Sequence, residues 1–474
     1  MHRLLHILLF LFVFRGAASD SVNTYGPTAR EIARAQYFQK PLPGWGYQAR
    51  QEKNLRLILV GGSNTASHYA NYLTSVLQNT TLHPYYTAKV TNAAISGCNP
   101  VTYIGMRYSF EDDPPEKWPN VVLLEFTVNY YHEYSVSEDV DALIQTMRFR
   151  YKQKQLPDPD FMFLELFSME WHLKAYMGHG YDKLASLSNT TIPPMRDERT
   201  NGHFRGCPRC KDFREVATFY GYPTISYRDM MFPAFVRYYL NTNGTFNDNP
   251  WVFTYEGSHL RPVATQLLVD QLMVPFFNEV MTPREELPEV ERTMYGGVNV
   301  RMYPAALRNM QLLSLSTLTL YDTKSSSQKL LKAAKKSSGY TLNARKEVRG
   351  RLFGNECYGS NNQSAVLNVD LTVPSECSSF GNCKVSMEFI HSWNISHFGP
   401  AHCELRQRNA KVILESMQIN VTKSSSGAVM KHTAPMTSQF RSVLKPGKYS
   451  VGCSKSDDRL TCFSGVSIAA SVLI

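Results

Sequence analysis

Four short blocks of the sequence carry side chains that together can move an acyl group. Gly61-Gly62-Ser63-Asn64-Thr65 places a hydroxyl after two glycines, and Tyr255-Glu256-Gly257-Ser258-His259 places an imidazole three residues beyond a carboxylate. Between them, Ile95-Ser96-Gly97-Cys98 offers a backbone N–H with no side chain in front of it, and Thr127-Val128-Asn129 offers a side-chain amide. A serine hydroxyl attacks a carbonyl only when a base takes its proton, and the resulting oxyanion needs donors already in place. Ser63 and His259 would supply the first pair, with Glu256 orienting the imidazole. The N–H groups of Ser63 and Gly97 and the amide of Asn129 would receive the oxyanion. Taken alone, Ser63 is equally well placed to cap a helix; the set of four gives the chemistry.

These blocks can meet only if the chain between them delivers each to one edge of a scaffold. Short β-rich runs at Leu55–Val60, Ala88–Asn92, Val121–Phe126, Phe161–Leu166 and Thr224–Tyr227 alternate with helical patterns at Ala66–Gln78, Glu138–Lys152, Asp212–Tyr220 and Pro262–Val280. Such alternation predicts βαβ units, hence a parallel sheet covered by helices on both faces, a three-layer α/β/α sandwich. Ligands of such sheets bind beyond the carboxyl ends of the strands. The serine, glycine and asparagine blocks each follow a strand, and the histidine block precedes the last helix.

In that order and context the four blocks resemble the SGNH (GDSL-like) hydrolase superfamily, over residues 54–283. The resemblance implies a flavodoxin-like α/β/α fold and esterase chemistry, with Ser63, Gly97, Asn129 and His259 as the four family residues. The family's Gly-Asp-Ser stands here as Gly61-Gly62-Ser63, and its Asp-x-x-His as Glu256-x-x-His259. It implies an ester substrate, an acylated carbohydrate in a secreted setting, and no cofactor or metal. The same residues would serve an O-acyltransferase that delivers the acyl group to a sugar hydroxyl, and a noncatalytic glycan-binding glycoprotein could retain the fold. His68, His132, His172 and His179 have no partner at a diagnostic spacing and are expected to be structural or surface residues. Asp158 and Asp160 precede a strand and so belong to the opposite sheet edge.

With 474 residues, 43% hydrophobic and 19% charged, the chain is globular, and length favours two domains. From residue 352 to 474 the apolar runs are short and strand-like, among them Ala365–Val373, Lys384–Ile390, Val412–Val421 and Ser464–Leu473, which predicts an all-β sandwich. Cys357, Cys377, Cys383, Cys403, Cys453 and Cys462 fall there and are candidates for three disulfides, their connectivity open. Cys207 and Cys210 lie in a loop context that fits a local disulfide better than a redox motif. A zinc site with His203 would lack a fourth ligand. Cys98 is left over. Residues 284–351 read as a linker; its basic part, Lys324 to Arg351, could attract an anionic glycan or a membrane surface. An apolar segment with helix potential lies at Ala305–Leu320. The net charge of +10 comes with no nucleic-acid recognition fold, so that partner is excluded.

The address is secretory. Residues 1–19 combine a basic start, an apolar run and small residues for cleavage, as in a signal peptide, and 20–53 form an N-terminal extension. Six Asn-x-Ser/Thr sequons, at Asn79, Asn189, Asn243, Asn362, Asn394 and Asn420, are candidate glycosylation sites in a secreted or lumenal protein.

Overall fold

The computed structural model describes residues 26–35, 41, 44–79, 86–96, 98, 100–104, 108–128, 136–167, 207, 210–241, 254–255, 259–282, 311–319, 329–330, 332–334, 337–338, 358–360, 364–375, 377–380, 383–391, 399–408, 412–420, 434–459 and 461–472. The strand β1, Asn54–Gly61, is apolar at nearly every position and buried along almost its whole length. Only a central strand has apolar neighbours on both faces. β1 accordingly lies between β2 (Thr87–Asn92) and β3 (Val121–Glu125), followed outward by β4 (Asp160–Glu165) and β5 (Thr224–Ser226). The order is β2-β1-β3-β4-β5, all parallel, the flavodoxin-like order.

Alternate residues of β1 feed two separate cores. Leu55, Leu57 and Leu59 pack with Leu73, Leu268, Phe276 and Phe277, while Ile58 and Val60 pack with Tyr103, Val140, Leu143 and Phe213. Helices therefore cover both faces, and each fully buried aliphatic or aromatic side chain contributes about 1.5–3 kcal/mol. In chain order the helices are α1 (Ala29–Ala35), α2 (Tyr47–Gln51), α3 (Ala70–Asn79), α4 (Pro100–Ile104), α5 (Val136–Gln153), α6 (Cys210–Tyr220), α7 (Tyr227–Asn241), α8 (Pro262–Leu268) and α9 (Val274–Met281). Wide π-turns, Thr65–Tyr69 and Val269–Met273, lead into α3 and α9. Among the described residues no helix is long and apolar enough to cross a membrane.

The C-terminal region is a sandwich of two antiparallel sheets sharing one core. One sheet runs β10-β15-β12-β13 (Val366–Val373, Gly447–Lys455, Ala401–Gln407, Ile413–Ile419) and the other β14-β11-β16-β8 (Ala434–Gln439, Cys383–His391, Thr461–Val472, Gln311–Thr319), with the short β9 (Tyr358–Ser360) beside β16. Disulfides join Cys377 to Cys383 and Cys403 to Cys453, the second pair directly opposite each other on β12 and β15. Cys462 is also disulfide-bonded, and Cys357 lies outside the described residues.

Two expectations change. Within the segment Ala305–Leu320, read as helical, the described part is a strand: β8, Gln311–Thr319, pairs antiparallel with β16 from Gln311↔Val472 to Thr319↔Gly465. Cross-strand pairing outweighs local preference in a short apolar run whose period is ambiguous. The stretch read as linker, 284–351, therefore contains part of the β sandwich. Within its basic part, Leu330 and Ala334 are buried in the sandwich core while Lys329 and Lys332 stay exposed, and Ser338 bridges to Val366. A helical turn can turn its apolar residues inward and its lysines outward, which a count of charge does not reveal.

Candidate active site

The turn after β1 is built around the register of β1 on β3, which pairs Gly61 with Glu125 at the carboxyl edge. Gly62 N–H donates to Glu125 O at 3.1 Å, so the two strand ends are tied together just before Ser63. A Cβ on Gly61 would come within 2.5 Å of Thr65 Oγ1 and 2.6 Å of Glu125 O. The glycine there makes room for the protein's own atoms. Thr65 Oγ1 lies 2.9 Å from both Glu125 Oε2 and the Tyr69 hydroxyl, so one buried network anchors the first turn after Ser63. Glu125 is completely buried, which pushes its carboxyl up to about 7 against the opposing pull of Thr65 and the Gly62 and Thr127 amides.

The histidine arrives on a two-stranded hairpin, β6 (Thr254–Tyr255) with β7 (His259–Leu260), in which Tyr255 faces His259. His259 Nε2 and Ser63 Oγ are 2.8 Å apart, within hydrogen-bond range for proton transfer between them. Leu260 N–H donates to Asn64 Oδ1 at 2.9 Å. Glu256, Gly97 and Asn129 lie outside the described residues, although their neighbours Tyr255, Ile95, Cys98 and Val128 are described.

His68, expected to be structural or at the surface, stacks on His259 with ring centroids 5.1 Å apart and planes 27° from parallel. It sits on the π-turn that follows Ser63, a helix distortion that recurs at functional sites. Burial, and secondly the neighbouring His259, push His68 down to about 4, so its ring is neutral at neutral pH. No fixed spacing in the sequence links a residue on this helix to one on a hairpin nearly two hundred residues later. The one available signal was a histidine in the turn directly after Ser63.

Tyr103, from α4, joins the serine turn to the glycine block. Its buried hydroxyl donates to Gly61 O at 2.7 Å and accepts Ile95 N–H at 2.6 Å, and Ile95 N–H also reaches Gly61 O at 3.1 Å. One phenol thus fixes the loop leading to Gly97 against the strand leading to Ser63.

The remaining predicted residues are accounted for as follows. Cys207 and Cys210 form a disulfide at the start of α6, and Cys98 is a buried thiol. Asn79 and Asn420 are exposed, as glycosylation sites must be; Asn189, Asn243, Asn362 and Asn394 lie outside the described residues, as do residues 1–19, His132, His172, His179 and His203. Asp160 opens β4 at the far edge, where it accepts Gly46 N–H at 2.9 Å. At the carboxyl ends of β4 and β5, Glu165, Arg214, Asp229 and Arg228 form a buried ion-pair cluster, Arg214 reaching Glu165 at 2.5 Å and Asp229 at 2.9 Å. Each charge there meets an opposite partner, so the cluster reads as a brace for the sheet end. Among the described residues no group of His, Cys, Asp and Glu is placed to hold a metal ion.

Two solved structures share the overall arrangement. A two-domain esterase (CEX) active on acetylated mannans aligns with a TM-score of 0.54 at 13% identity, over 93% of this chain and 98% of that one. The same esterase co-crystallised with mannopentaose aligns with a TM-score of 0.50 at 14% identity, over 90% of this chain and 93% of that one. At such identities the likeness is one of fold. The sequence matches no family model and no curated protein.

Proposed function

We propose that this protein is a secreted carbohydrate esterase of SGNH type, removing acyl groups from a glycan by Ser-His catalysis. The observation that carries the reading is the Ser63 Oγ to His259 Nε2 contact of 2.8 Å at the carboxyl edge of the sheet. In this scheme His259 takes the Ser63 proton as Oγ attacks the ester carbonyl carbon. The tetrahedral oxyanion is received by the Ser63 and Gly97 N–H groups and the Asn129 amide. His259 then gives its proton to the departing sugar alkoxide, leaving an acyl-serine. Water, deprotonated by the same imidazole, releases the carboxylic acid and restores Ser63. Glu256 orients His259 and stabilises its protonated form.

The substrate class is supported by the fold shared, over 98% of its length, with a two-domain esterase active on acetylated mannans. The disulfides and the exposed sequons support an extracellular setting. The test is hydrolysis of para-nitrophenyl acetate and of partially acetylated mannan by the purified chain, with Ser63→Ala alongside. Release of acetate that Ser63→Ala abolishes supports the reading. Acyl transfer to an added oligosaccharide without free acetate would make it a transferase, and wild type equal to Ser63→Ala would leave a binding protein.

A further inference from the structure

A cleft of about 400 Å³ opens between the π-turn after Ser63 and helix α8, lined by Ser67, His68, Tyr72, Pro262, Thr265 and Gln266. Its volume lies within the roughly 300–1,000 Å³ of small-molecule sites. Since His68 both lines this cleft and stacks on His259 at 5.1 Å, the cleft begins one imidazole away from the reacting pair.

Its walls are of two kinds. Tyr72, Leu260 and Pro262 present apolar surface, while Ser67, Thr265 and Gln266 carry two hydroxyls and an amide. The Tyr72 hydroxyl is held by the Asp270 carboxylate, at 3.0 and 3.2 Å from its two oxygens, which fixes the ring. None of the lining side chains carries a charge at neutral pH, because His68 is held neutral and the Tyr72 phenol is pushed up to about 12 by burial and by Asp270. An acyl chain seated here would leave the hydroxyls and the amide unmet, at about 1–3 kcal/mol for each one taken out of water. An anionic ligand would find no cation among the lining side chains and Asp270 behind them. A pyranose matches both walls, with C–H faces for the tyrosine ring and hydroxyls for the polar edge.

We infer that this cleft is a subsite for a neutral sugar ring, seating the unit next to the one that bears the ester. The inference rests on the esterase reading. It assigns Tyr72 as the stacking face and Ser67, Thr265 and Gln266 as hydroxyl partners. The subsite thereby makes the enzyme prefer esters on oligomeric glycan to esters on small alcohols.

Two variants test it in the full chain. Gln266→Trp fills the cleft from an exposed position, and Tyr72→Ala removes the stacking face from a half-exposed one. Each is assayed on partially acetylated mannan and on para-nitrophenyl acetate. The ratio of the two kcat/KM values should fall about tenfold in both variants, through KM for the mannan. An unchanged ratio overturns the subsite and leaves the esterase reading standing. If wild type cleaves neither ester, the esterase reading falls, and calorimetric titration with deacetylated mannan oligosaccharide decides the cleft by itself: weaker binding by both variants upholds it, and equal binding overturns it.

Discussion

The Asn64 side chain accepts the backbone N–H of Leu260 at 2.9 Å, so the residue after Ser63 is bonded to the residue after His259. The helix turn and the hairpin come from distant parts of the sequence, and this bond sets their register. Asn64→Ala should lower kcat by about 10- to 100-fold with KM little changed, because small displacements of reacting groups cost that much. Asn64→Asp keeps an acceptor and should recover most of the rate. Steady-state kinetics on para-nitrophenyl acetate will show whether the two variants separate.

Ser63→Ala and His259→Ala should each lower kcat about 10⁴-fold or more, with substrate binding largely kept. Glu256→Gln should do less harm than either, since the carboxylate only orients and stabilises the imidazole. Asn129→Ala should cost about 100- to 1,000-fold if its amide meets the oxyanion. The order of severity is the test, and a Glu256→Gln enzyme slower than His259→Ala would reverse the assigned roles.

Tyr103→Phe removes a hydroxyl that serves Gly61 and Ile95 together. Ile95 N–H keeps its direct bond to Gly61 O, so the fold should survive with a loss of about 1–2 kcal/mol. The rate should fall about tenfold through kcat, as the glycine loop loosens against the serine turn. Denaturant melts and kinetics on one preparation measure both effects; a change in KM alone would mean that Tyr103 supports substrate binding and not the oxyanion loop.

Glu125 predicts a pH effect on stability. Its folded value of about 7 exceeds the ordinary 4.5, so the native state binds the proton more tightly than the unfolded chain. The stability this contributes is full below about 4.5 and is lost as pH rises through about 7. Glu125→Gln keeps the shape without the ionisation. It should therefore gain on wild type as pH rises from 4.5 to 8, by up to about 3 kcal/mol at the upper end. Melting temperatures of the two proteins across that range measure the gap, and a gap independent of pH would mean that Glu125 is already ionised when buried.

The parallel sheet was legible because β1 and β3 are short, largely apolar runs between helical patterns, and the Ser63 and His259 blocks stood out because one follows a strand and the other precedes the last helix. Glu125 was visible as a carboxylate ending the apolar run Val121–Leu124, yet only the β1–β3 register turns it toward Thr65. Tyr103 and His68 act through space on residues that no local pattern joins to them. The helical turn holding Leu330 and Ala334 was hidden by the lysines around it, because net charge describes a segment as a whole and burial is decided residue by residue.

The pairing of β8 with β16 bears on what happens when the chain is cut. The basic segment lies between β8 and the remaining strands of the sandwich, so a nick there leaves β8 covalently attached to the α/β half while its hydrogen bonds run to β16 on the other fragment. The two pieces should then travel together on a sizing column under native conditions and part only in denaturant, as a complemented pair. Cleavage at that point falls inside one sandwich, and recombinant halves meant to be expressed separately should be divided before Gln311.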